Sequence, residues 1–222
     1  MNHSKPCHYS TRLLKQLKSL DTDNVLNFDL INKAIYWAKK HHDGQFRKSG
    51  EPFYTHPLEV AYMISEYDLT TNVIVTSVLH DIIEDTEVTA GMILDAFGWR
   101  IAEMVDRLTR DRPDGTKISV EEILNNAYLK DDKEVLLIKV VDRLHNLITI
   151  ESFDESKQKT SRSDTLSDFL PLLLKTENYR AIDLIEQLCI KDKDHLIFQD
   201  ILSIKPIELN TSFYNIKNWQ FC

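Results

Sequence analysis

Apolar residues recur along most of the chain at intervals of three and four, the spacing of helices that bury one face. Near the start, Leu13, Leu14, Leu17 and Leu20 mark a short amphipathic helix that also carries Arg12, Lys15 and Lys18. Asn27 is placed to cap a second helix, with Asp29 in its first turn and Gly44 stopping it near residue 42. A polar stretch follows, QFRKSGEPFYT, in which Gly50 and Pro52 interrupt any regular element. Pro57 suits the first position of a new helix reaching about residue 67. The segment 72–83 contains VIVTSVLHDII, apolar on nearly every side, which predicts one central helix. Shorter helices are expected at 89–97 and 101–109, a surface loop at 111–119, a helix at 120–129 and a long one at 133–150. A Ser-, Lys- and Thr-rich segment at 151–163 is expected to separate these from helices at 164–175, 180–190 and 195–204. The tail beyond carries Phe213, Tyr214, Trp219 and Phe221 without a clear period, and docking on the body is its default.

The fold class that follows is all-α. Only 5 Gly and 6 Pro in 222 residues argue the same way, against a chain of many tight β-turns. Three segments are expected: 1–26 as a basic amphipathic lead, 27–150 as the core, and 151–222 as a helical extension and tail. The lead has the make-up of a helix laid on the domain; a transit peptide or surface anchor would share it. No apolar run approaches the roughly 20 residues of a membrane span, so no membrane association is expected from the rest.

Charge narrows the choice of partner. The net charge of -8 argues against general DNA or RNA binding, and a polyanionic ligand would need a metal ion or a local basic patch. Cys7, Cys189 and Cys222 are odd in number and lack metal-ligand spacing, which fits a reducing cytoplasm. Nothing in the sequence sets an oligomeric state.

Two His-Asp pairs are candidates for chemistry. His42-Asp43 lies beside lysines and a helix-ending Gly, and reads as a solvated helix end. His80-Asp81 instead interrupts an apolar run and is followed by Glu84-Asp85. Burying such groups without partners costs several kcal/mol or drives them neutral, and a divalent cation would satisfy them together. On one continuous helix, His80 would sit a turn from Glu84 and Asp81 a turn from Asp85, with His80 and Asp81 meeting an ion only at its edge. His56, beside Pro57, and Asp142, in the apolar helix LLIKVVDRLHNL, are the candidates to complete the shell. Two imidazoles and two carboxylates suit Mn²⁺, Fe²⁺ or Zn²⁺. Spacing alone leaves a second reading open, a buried network pairing Asp142 with Arg143 or a lysine.

The motifs HDGQFRKSGEPFYTHPLEVA, VLHDIIEDTEVT and IKVVDRLHNL, with FG between the last two, resemble the hydrolase domain of RelA/SpoT-type alarmone enzymes. The resemblance covers about residues 32–150, with a fainter echo through KQKTSRSDTLSDFLPLL. It implies an HD-domain helical bundle around a metal site, with His56, His80, Asp81 and Asp142 as ligands of an ion that is usually Mn²⁺. It further implies that Glu84 and Asp85 activate and orient the attacking water. Arg47 and Lys48 match the basic pair that embraces the nucleotide, and Asn146 and Thr149 match positions that help hold it. The implied reaction is removal of the 3′-pyrophosphate of ppGpp or pppGpp, by a small stand-alone hydrolase or a truncated relative. Departures from the family pattern are Ile148 where an Arg is usual, Val141 for a common Ala, and Phe53 near a usual Tyr. Loss of a positive charge at 148 keeps two alternatives in play, a phosphohydrolase of another nucleotide such as NADPH and a nucleotide-binding module without turnover.

Overall fold

The computed structural model describes residues 3–112 and 114–189. They form helices α1 (His8–Leu20), α2 (Phe28–His41), α3 (Thr55–Ile64), α4 (Thr71–Leu79), α5 (Ile82–Asp85) and α6 (Ala90–Phe97). These are followed by α7 (Trp99–Leu108), α8 (Val120–Leu129), α9 (Lys133–Ile148), α10 (Glu155–Asp168), α11 (Leu170–Lys175) and α12 (Tyr179–Cys189). Among the described residues no β-sheet forms; two isolated bridges, Phe46 with Pro52 and Asp111 with Lys117, pinch loops. The helix expected at 195–204 and the aromatic tail lie outside the described residues.

Helices α3, α4 and α9 make the centre. Helix α3 packs against α1, α4 and α9, while α2 and α7 cover α4. The reason is compositional: α4 has Val73, Ile74, Val75, Val78 and Leu79 all buried, so it needs neighbours on every side. Helix α9 is divided. Val135, Ile138, Val141, Leu144 and Leu147 enter the core, while Lys139, Asp142, His145 and Asn146 recur at three- and four-residue spacing on another stripe. The lead helix α1 lies on α3 with Leu13 and Leu17 fully buried and Lys15 and Lys18 exposed. Arg12 reaches Glu59 and stacks on the Tyr62 ring, which ties α1 to α3.

Three expectations are corrected. Helix α3 begins two residues ahead of Pro57, at Thr55, which a proline tolerates because first-turn amides have no intrahelical partner. The segment 151–163 is not a spacer but most of α10. Asp154 caps that helix by accepting from the Lys157 amide, and Arg143 donates to Thr165 Oγ1 and the Ser161 carbonyl at 2.7 Å each. Polar contacts hold it, so no apolar period marks it.

The third correction matters most for chemistry. The predicted helix over 72–83 breaks at His80-Asp81 into α4 and α5. Ser77 Oγ donates to the Val73 carbonyl and His80 Nδ1 to the Ser77 carbonyl, so side chains occupy acceptors at the end of α4. The one-turn stacking of His80 over Glu84 therefore does not apply, and adjacent residues can turn toward one point.

Candidate metal centre

Four sequence-selected residues converge where α3, α9 and the α4–α5 break meet. His56 stands in the first turn of α3, His80 caps α4, Asp81 opens α5, and Asp142 projects from mid-α9. One ligand atom each from His56, His80 and Asp142 fall within 4.8 Å of one another, and all three residues are buried. Asp81 flanks this trio, with Oδ1 3.1 Å from His80 Nε2 and Oδ2 3.4 Å from His56 Nε2.

The state of His80 tests whether a cation fits. Its Nδ1–H is committed to the Ser77 carbonyl at 2.8 Å, so the neutral ring turns a lone pair outward from Nε2. That Nε2 is buried and makes no hydrogen bond. Carboxylate oxygens of Asp81 and Asp142 lie 3.1 and 3.5 Å away, at ionic distance but without hydrogen-bond alignment. A lone pair facing two carboxylates is stable only around a positive charge. Burial opposes charging His80, yet Asp81 and Asp142 hold its pKa well above the usual imidazole value. Burial likewise opposes ionising the two carboxylates, and the histidines beside them overcome it, holding both well below the ordinary range. A proton answers the site's demand when no ion does, and the donor set fits a divalent transition ion.

Polar neighbours aim the ligands. Asn146 Nδ2 donates to Asp142 Oδ1 at 2.8 Å, and Lys139 Nζ lies 3.6 Å from Oδ2. His145 Nδ1 sits 2.8 Å from His56 Nδ1. Burial, with help from His56 and Arg47, lowers the pKa of His145 to about 3, so this ring is neutral. His145 was not among the residues singled out by the sequence pattern; its place three residues after Asp142 was the available signal.

His56 and Asp142 of the trio, but not His80, line a cavity of about 420 Å³, within the range of small-molecule sites. Its acidic floor includes Asp81, Asp142 and Glu84, and basic residues surround it. Arg47, Lys48, Arg110, Lys139 and Arg143 all line it, although the chain as a whole is acidic. Arg47 Nη2 donates to Thr149 Oγ1 at 3.0 Å and toward Asn146 Oδ1 at 3.4 Å, while Nη1 is buried without a partner. The loop bearing Arg47 and Lys48 is a tight turn: the Arg47 amide donates to the Glu51 carbonyl and the Gly50 amide to the Arg47 carbonyl. Gly50 has φ of 88°, which a side chain would strain. Arg110 was not singled out from sequence, and Arg143 only as an alternative partner of Asp142, since only folding brings their segments to this wall.

Glu84 and Asp85 are placed differently from each other. Glu84 lines the cavity, and its Oε1 accepts the Arg110 amide. Asp85 is off the lining. Burial, then repulsion from Asp81 and Glu84, pushes its pKa up to about 6. A carboxyl whose folded pKa is raised adds stability at low pH that is lost as pH rises through about 6. Asp85→Asn should therefore raise the melting temperature of metal-free protein at pH 7.5, with the gain shrinking as pH falls below about 6. A melting series across pH checks this; an unchanged or lower melting temperature at pH 7.5 contradicts it.

Two other positions differ from expectation. His42 is not at a solvated end; it is buried, hydrogen-bonded through Nδ1 to Gln45 Oε1 at 2.7 Å and stacked on Phe53. Only Asp43 of that pair is exposed. Ile148 is 38% exposed and absent from the cavity lining. It stands two residues past Asn146, about 200° around the helix, so an Arg there would start from a different face.

Residues 34–175 match the HD domain family. The chain belongs to that family. This HD domain is 37% identical over 154 residues to a GTP pyrophosphokinase of Myxococcus xanthus, covering 66% of this chain and 20% of that protein. It is 32% identical over 186 residues to a probable guanosine-3′,5′-bis(diphosphate) 3′-pyrophosphohydrolase of Mycoplasma pneumoniae, covering 78% and 25%. The chain thus spans a fifth to a quarter of the length of these curated relatives. A solved structure described as a metazoan ortholog of SpoT that hydrolyzes ppGpp shares the fold, with a TM-score of 0.52 at 18% identity. The match covers 79% of this chain and 94% of that one. These relatives bear out the RelA/SpoT-type resemblance and the helical HD fold read from the sequence.

Proposed function

We propose that this HD domain hydrolyses the 3′-pyrophosphate of ppGpp or pppGpp, with water, to GDP or GTP and pyrophosphate. The observation that carries the reading is a buried, unpartnered His80 Nε2 facing two carboxylates, Asp81 and Asp142, which themselves line a cavity walled by cations. His56, His80, Asp81 and Asp142 would hold the ion, with Mn²⁺ as the assignment. A divalent ion there would act as a Lewis acid toward phosphate and lower the pKa of water.

The chain's own residues supply the rest. Glu84 takes the proton of the attacking water. The Arg110 amide fixes which way that carboxylate points. Asp85, the next residue on α5, is assigned to orienting that water. Arg47 and Lys48 receive the nucleotide, Arg47 with a face for the guanine ring and an unpartnered Nη1, and Lys48 with a point charge for phosphate. Asn146 and Thr149 hold the Arg47 guanidinium in place. Arg47→Ala should raise KM for ppGpp about 10- to 100-fold, the cost of a lost hydrogen bond to a charged group. Steady-state kinetics check it, and an unchanged KM removes Arg47 from the nucleotide site.

Purified protein with Mn²⁺, offered ppGpp, NADPH and p-nitrophenyl phosphate, tests the whole reading. GDP and pyrophosphate from ppGpp are expected. Turnover of NADPH alone would overturn the alarmone substrate and keep the phosphohydrolase; binding of ppGpp without turnover of any of the three would make the domain a sensor. No helix among the described residues is long and apolar enough to cross a membrane. Among the described residues Cys7 and Cys189 form no disulfide; a cytoplasmic setting is proposed from the odd, scattered cysteines of the sequence.

A further inference from the structure

The two imidazoles of the centre are oriented by different means. His80 Nδ1 faces a backbone carbonyl, which can only accept, so Nδ1 keeps its proton and Nε2 is the nitrogen left to face the ion. His56 Nδ1 instead faces another imidazole nitrogen, His145 Nδ1, at 2.8 Å, with ring centroids 4.8 Å apart. Two N–H groups or two lone pairs cannot meet at that distance. One proton lies between them, on one ring or the other.

We propose that His145 is a positioning residue that sets the tautomer of His56, and through it the hold on the ion. The proposal rests on the metal reading above. With no ion, His56 Nε2–H donates to Asp142 Oδ1, 3.1 Å away, and His56 Nδ1 accepts from His145 Nδ1–H. To ligate, His56 presents a lone pair at Nε2 and carries its proton on Nδ1. His145 then becomes the acceptor and carries its own proton on Nε2. In both arrangements one proton lies between the two Nδ1 atoms, and on loading His56 releases its Nε2 proton to solvent while His145 takes one from solvent at Nε2. A carbonyl or carboxylate in this place would lock one tautomer; an imidazole serves both.

The placement ties this function to the ligand set. His145 follows Asp142 by three residues on α9, so one helix face carries both a ligand and the group behind a second ligand. The Thr149 amide and hydroxyl both donate to the His145 carbonyl, fixing the last turn of α9 where the ring is mounted. His145 is buried and absent from the cavity lining, so it acts on substrate only through His56.

His145→Phe removes the acceptor and keeps a ring of similar size. His145→Asn keeps an acceptor close to the position of Nδ1. Mn²⁺ affinity, measured by chelator competition, should fall about 10- to 100-fold in the Phe variant, the range for loss of an outer hydrogen bond to a ligating histidine. The Asn variant should recover most of that loss. Imidazole ¹⁵N NMR of Zn²⁺-loaded wild-type protein gives a reading that needs no variant: His56 protonated on Nδ1 and His145 on Nε2. Equal Mn²⁺ affinity in wild type and His145→Phe, or His145 protonated on Nδ1 in the loaded protein, overturns the proposal alone. Wild-type protein that takes up neither ion overturns the metal reading and the proposal with it.

Discussion

Glu84→Gln should lose about 10²- to 10⁴-fold in turnover of ppGpp while retaining metal and nucleotide, the usual worth of a general base. The geometry makes this a clean substitution. Glu84 lies on the cavity side of α5, and its Oε1 accepts the Arg110 amide. A glutamine can keep that hydrogen bond through its own amide oxygen, so size and orientation survive and only proton-accepting capacity goes. KM should therefore change little, and the loss should appear in kcat. Turnover within about twofold of wild type would remove Glu84 as the base. Asp85 would be the next candidate, although it lies off the cavity lining and its pKa is raised to about 6.

His80→Ala should abolish stoichiometric metal and, with it, turnover. His80 has no substitute, because its Nε2 is the buried lone pair that both carboxylates surround. Two measurements separate metal loss from misfolding. Elemental analysis should find about one ion per wild-type chain and none in the variant, as a single His/Asp shell implies. Thermal melting should also diverge. An ion that binds only the folded state adds about 2.7 kcal/mol when its free concentration is a hundred times its dissociation constant. For a chain of this size that is a rise of about 5–10 °C in Tm. Wild type should show that rise with Mn²⁺, and His80→Ala should melt cooperatively at a temperature Mn²⁺ does not move. Equal metal content in the two proteins would remove His80 from the ligand set.

Periodicity and composition determined the all-α class and the approximate place of most helices, because a buried helical face must repeat every three to four residues wherever it packs. They also picked out His80-Asp81 and Asp142, since ionisable groups set in apolar runs demand a reason. His56 was legible from its place beside Pro57 and Glu84 from its place after His80-Asp81, whereas Arg47 became legible only through the motif resemblance. Helix α10 escaped because its contacts, Arg143 with Thr165 and Ser161, are polar and leave no apolar period.

Tertiary structure alone decided how the site is assembled. The break between α4 and α5 arises from side chains bonding to the end of a helix, and no hydrophobic pattern encodes it. That break lets neighbours His80 and Asp81 face one point, where a continuous helix would part them by about 100°. Folding also decided that His42 is buried and stacked on Phe53, and that Ile148 is off the cavity wall. Arg110 and Arg143 come to one wall from segments more than thirty residues apart in sequence. The physical reason is common to all of these. A sequence pattern records which residues must leave water, whereas direction and distance between side chains from different helices are set only when those helices pack.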